Sequence, residues 1–113
     1  MGRMLFSLHT AALGEVAATA RAGLSEQQAR LGLGMLLSSE QRGDNVSLLA
    51  GGLPGGTPIA QKNGWLRASR HAAGIVYAAD GPRLVVMLTY RQSGIGLAEA
   101  RALGARLTRI AMS

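Results

Sequence analysis

The sequence predicts an α+β domain, an antiparallel three-stranded sheet covered by N-terminal helices and a C-terminal helix. Three observations carry this. Apolar residues recur at helical spacing over the first third of the chain and again over residues 97–112. Between residues 71 and 90 the period shortens and β-branched residues take over. The connections between the extended stretches are short, which favours a meander with helices on its faces. At 113 residues the chain is read as a single domain, 1–113.

Each element follows from its residues. In "MGRMLFSLHTAALG", Leu5, Leu8, Ala12 and Leu13 fall at helical spacing. The stretch has one arginine and carries His9 and Thr10, so it reads as a helix and not a signal peptide. Gly14 and Gly23 punctuate the pattern. Ser25-Glu26-Gln27-Gln28 has the form of a capping box, with the Ser25 hydroxyl and the Gln28 side chain satisfying free amides at a helix start. Leu31, Met35 and Leu36 continue an apolar face. Gly32 and Gly34 inside this helix cost about 1 kcal/mol each relative to alanine and imply close packing against a neighbour. Helical character ends near Ser38-Ser39-Glu40.

Residues 41–58, "QRGDNVSLLAGGLPGGTP", read as a loop. "TPIAQK" is short and extended. "HAAGIVYAA" is a strand centred on Ile75, Val76 and Tyr77, and Asp80-Gly81-Pro82 is a turn. "RLVVMLTY", residues 83–90, is the strongest strand, and pairing it with the same strand of a second copy would bury Leu84, Val86 and Leu88 or their alternates. In the last helix Leu97, Ala100, Leu103, Leu107 and Ile110 share one face. There is no internal repeat.

Composition narrows the function. With no cysteine, disulfides and thiolate metal sites are excluded. His9 and His71 lie far apart and form no ligand spacing, so neither a metal nor another cofactor is expected. The net charge is +6, but the arginines are scattered and no aromatic is interleaved with them as a stacking platform requires, so nucleic acid is a weak reading. No apolar run approaches a membrane span. "SGIGLAEA" puts Glu99 where a dinucleotide-binding turn needs a small residue, and "GGLPGGT" lacks the Gly-Lys-Ser/Thr of a phosphate loop. "GDN", residues 43–45, reads as turn chemistry.

Lys62 stands apart. It is the only lysine among twelve basic residues, and Asn63-Gly64-Trp65 follows it. Arginine replaces lysine on a solvated surface but not where a compact, titratable ammonium is needed. Taken alone, Asn63-Gly64 reads as an ordinary hairpin turn.

The wider context resembles the class A β-lactamase-like, penicillin-recognising serine hydrolases, in which a strand delivers a Lys-Thr/Ser-Gly motif. "LPGGTPIAQKNGW" resembles the approach to that motif. "HAAGIVYAADGPRLVVMLTY" is similar to the two strands that follow it, and "SEQQARLGLGMLLSSEQ" to the preceding helix. Lys-Asn-Gly-Trp is similar to the form common among actinobacterial members. The resemblance implies a partial α/β/α domain and a parent family usually secreted or in the cell envelope. It implies that Lys62 helps bind a substrate carboxylate and passes protons. Gly64 lets the backbone approach the substrate, and the Trp65 backbone amide is an oxyanion-hole donor. Asn63 stands where the family has threonine or serine, keeping a donor but losing the hydroxyl. Arg67 and Arg70 add positive charge to the substrate-binding group.

The family's nucleophile motif, Ser-x-x-Lys, is absent, because Ile59 lies three residues before the one lysine. Its Ser-Asp-Asn element is absent too. The expectation is therefore the C-terminal segment of such a hydrolase, acting on a β-lactam-like or other acyl substrate in the parent enzyme and inactive alone. Its expected partner is the missing N-terminal segment, or a second copy paired through strand 83–90. The rival readings are a non-catalytic α+β interaction or dimerisation module and a basic nucleic-acid-binding domain.

Overall fold

The computed structural model describes residues 1–38 and 47–113. Gly43-Asp44-Asn45 and the helix end beyond Ser38 lie outside the described residues. Three helices, α1 (Gly2–Ala12), α2 (Val16–Ala22) and α3 (Glu26–Ser38), precede a short 3₁₀ turn at Ala50–Gly52. Strands β1 (Ile59–Leu66), β2 (Ser69–Ala78) and β3 (Gly81–Met87) and helix α4 (Leu97–Met112) complete the chain. The sheet is antiparallel in the order β1-β2-β3, as the sequence predicts. No helix among the described residues is long and apolar enough to cross a membrane.

The capping box closes the start of α3 in both directions. The Ser25 amide donates to Gln28 Oε1 at 2.9 Å, and the Gln28 amide donates to Ser25 Oγ at 3.2 Å. Gly23 ends α2 at φ +64°, a conformation that costs glycine least.

The sheet separates two apolar layers. Facing α4 are Ile59, Ala72, Val76, Val85 and Met87, packed with Leu48, Leu49, Ile95 and Ala100. Facing α1 and α3 are Ala60, Ala73 and Ile75, packed with Leu5 and flanked by Leu33, Leu36, Tyr77 and Val86. A third, alanine-built cluster of Ala11, Ala12, Ala18 and Ala29 joins the three N-terminal helices.

Several details depart from the sequence reading. Asn63-Gly64 lies inside β1, and the turn is Arg67-Ala68, between the paired residues Leu66 and Ser69. Gly81 and Pro82 already belong to β3, which ends at Met87 and not at Tyr90. There the Thr89 side chain takes over from backbone pairing. Its Oγ1 accepts from the Arg70 amide at 3.0 Å and donates to the Arg70 carbonyl at 2.7 Å. The fully buried residues of β3 are Val85 and Met87, while Leu84 and Leu88 are exposed. Leu31 and Met35 of α3 and Leu103 and Ile110 of α4 are also exposed.

The close helix contact predicted for α3 occurs instead in α4. Gly34 has nothing within 4 Å of a built Cβ, and Gly32 meets only Leu8, at an ordinary 3.6 Å. A Cβ on Gly104, by contrast, would lie 1.8 Å from the Leu48 carbonyl oxygen. The buried face of α4 is Ala100, Gly104 and Thr108, small enough for the segment around Leu48 and Leu49 to lie directly on the helix. The Thr108 hydroxyl donates to the Leu49 carbonyl at 2.9 Å.

Candidate active site

The register of β1 fixes what each residue around Lys62 can present. Side chains alternate between the two faces of a strand, and backbone hydrogen bonds alternate between its two edges. The Tyr77 amide donates to the Pro58 carbonyl at 3.0 Å, which marks that facing pair as a hydrogen-bonded one. The register runs unbroken from there, so the Lys62–Ala73 and Gly64–His71 pairs are of the same kind. Asn63 and Trp65 take the intervening positions. Their amides and carbonyls point away from β2, toward the outer edge of β1, where no strand lies among the described residues.

Lys62 shares the helix-side face with Ala60 and Ala73. It is exposed, and its Nζ donates to the Asn63 carbonyl at 2.7 Å. The ammonium is thus folded over the edge onto which the Trp65 amide opens. Gly64 follows on the same face. The nearest atom to a Cβ built there is His71 Cβ at 4.0 Å, so none of the described residues crowds the backbone at that point.

The Asn63 and Trp65 side chains turn to the opposite face. Trp65 packs against the α4-side core, and its indole N–H is shielded from solvent without an acceptor. Arg70, directly across from Trp65, lies over its ring at 5.1 Å. The contact is worth roughly 0.5–1 kcal/mol at an exposed site. Arg70 Nη1 also donates to the Leu66 carbonyl at 3.0 Å. Its charge is held on the face away from the Lys62 side chain. Arg67 is exposed at the tip of the β1–β2 turn. The fold therefore brings together Lys62, Gly64 and the outward amides of Asn63 and Trp65. Arg67 lies at the end of this row, and Arg70 behind it.

Two further cations near Lys62 escaped the sequence reading. Arg3 of α1 and Arg21 of α2 line the same cleft as Lys62, a space of about 690 Å³. No local pattern announces them, because the helix packing alone brings them to the strand. No group of three or more histidine, cysteine, aspartate or glutamate residues close enough to hold a metal ion occurs among the described residues.

No curated protein matches the chain. The family model for the beta-lactamase enzyme family matches residues 10–113, which takes in all three strands and α4 as well as α2, α3 and the end of α1. A sheet with helices on both faces and a lone lysine on its edge strand accords with that match, and the chain belongs to the beta-lactamase enzyme family.

Proposed function

We propose that this chain forms the ligand-holding edge of a serine acyl hydrolase acting on a β-lactam or a related amide or ester. The observation that carries the reading is the outward aim of the Trp65 amide on the strand edge over which the Lys62 ammonium folds. A carbonyl oxygen set against the Trp65 N–H gains negative charge as a serine attacks, and a fixed donor stabilises that charge without reorganising. Lys62 binds the ligand's carboxylate and passes protons. Gly64 leaves the backbone open to approach, and the Asn63 amide points along the same edge. Arg67 adds charge at the turn. Arg70 acts from behind, holding the Trp65 ring and with it the strand end.

The attacking serine is not supplied by a Ser-x-x-Lys in this sequence, so the chain alone forms no acyl-enzyme. The test is incubation with a chromogenic cephalosporin, with intact mass measured afterwards, for the chain alone and for the chain joined to an upstream segment carrying Ser-x-x-Lys. We expect no adduct and no turnover alone, and both in the joined protein. A covalent adduct on the chain alone sinks the idea.

The interaction reading has its own observation. By the same alternation, the Leu84 and Val86 amides point away from β2 along the outer edge of β3, and Pro82, which has no N–H, occupies the next such position. This edge accepts one further strand, from a segment preceding these residues or from a second copy of the chain.

A further inference from the structure

We infer that the cleft between α1, α2 and β1 binds an amphiphilic monoanion, its carboxylate held by Lys62, Arg3 and Arg21 and its apolar body lying along Leu8, Leu24 and Leu36. The inference rests on the reading of Lys62 as an anion-binding group and adds the body of the ligand to it. The cleft has a volume of about 690 Å³, within the range of pockets that enclose small organic ligands. Its walls are almost wholly aliphatic, and its three charged residues are all cations.

Among the described residues no carboxylate is paired with those cations. Glu26, Asp80 and Glu99 pair with Arg30, Arg83 and Arg91, so Arg3, Arg21 and Lys62, like the remaining arginines on the surface, have no acidic partner among the described residues. Among the described residues the Lys62 ammonium donates to the Asn63 carbonyl, which a carboxylate can replace with a charge-assisted bond. A small hydrated anion would use the cations and leave the aliphatic walls wet. A neutral lipid would use the walls and leave three charges beside it. An alkanoate or arylalkanoate matches both. The concave shape, with leucines and cations facing one space, suits a dispersed molecule better than a flat membrane surface.

The test is a titration of the folded chain with straight-chain alkanoates from butanoate to decanoate, below their micellar concentrations, and with 1-decanol. Binding is read by calorimetry and by the methyl shifts of Leu8, Leu24 and Leu36. We expect affinity to rise about fourfold for each added methylene that is buried. We expect Lys62→Met and Arg21→Gln each to weaken decanoate about tenfold and to leave decanol unchanged. Equal affinity for decanol and decanoate, or no dependence on chain length, overturns the inference. If butanoate then still binds and Lys62→Met still weakens it, the anion-binding reading of Lys62 survives. No binding of any alkanoate overturns both. Adsorption to phosphatidylglycerol vesicles without binding of dispersed decanoate assigns the surface to a membrane and also overturns the inference.

Discussion

An exposed ammonium bonded to a carbonyl of its own strand holds the fold together very little. Replacing Lys62 with arginine keeps the charge in a place where surface changes move stability by no more than about 0.5 kcal/mol. In an enzyme that contains this chain and a serine nucleophile, the same change removes most turnover, because a guanidinium does not give up a proton near neutral pH. Melting temperature and turnover measured side by side separate the two effects. Unchanged turnover would make Lys62 an ordinary surface residue. Tyr77 offers a second test at this scale. Burial raises the pKa of its phenol above the ordinary 10.0, and the hydroxyl lies 3.2 Å from His9 Nδ1. A raised folded-state pKa means that the unfolded chain ionises first. The stabilisation is therefore complete below about pH 10 and is lost as pH climbs through the folded value. Urea unfolding across the alkaline range should show stability falling, and Tyr77→Phe should remove the part of the fall that belongs to this group. An identical alkaline slope in the variant would assign the loss to other residues.

Among the elements, α3 and α4 invert the roles that their glycines suggest. Gly34 sits in open space inside a helix, so Gly34→Ala should stabilise the protein by about 0.5–1 kcal/mol. Gly104 lies against the Leu48 carbonyl, so Gly104→Ala should destabilise it by roughly 3 kcal/mol as α4 is pushed off its seat. Urea midpoints measured on both variants decide the matter, and similar shifts would mean that α4 is not seated on that segment. The contrast shows which features were legible in sequence. The capping box at Ser25 and the existence and order of the three strands depend on near neighbours and period, and these appear as the pattern predicts, although the bounds of β1 and β3 shift by several residues. The buried face of α4 depends on a segment more than fifty residues away, as the Thr108–Leu49 hydrogen bond shows, so leucine spacing found Leu97, Ala100 and Leu107 but missed Gly104 and Thr108 and put the exposed Leu103 and Ile110 in their place. In the same way β3 stops at Met87 because Thr89 caps Arg70, a contact with no local signature. The outer edge of β3 gives the last prediction at this scale. We expect light scattering to show mass rising with concentration toward a two-fold dimer, and Leu84→Lys, on an exposed position, to hold the chain monomeric without unfolding it. A folded monomer at every concentration would leave that edge to a strand from elsewhere.

At the scale of the whole molecule, the candidate site was legible as a motif but not as a place. The lone lysine and the glycine after it marked a position on β1. Only the register shows that the Lys62 and Trp65 side chains part to opposite faces while the Trp65 amide opens on the edge that the Lys62 ammonium reaches. Arg3 and Arg21 line the cleft that Lys62 also lines, brought there by packing between helices. The layered arrangement has one more consequence. Among the described residues, α4 packs on the sheet and on the Ala50–Gly52 turn, with no substantial contact to α1, α2 or α3. The two helical layers thus pack on opposite faces of the sheet, and β1 contributes side chains to the cluster on each face. Its successive residues are gripped alternately from opposite sides: Ala60 by one layer, Ile59 and Trp65 by the other.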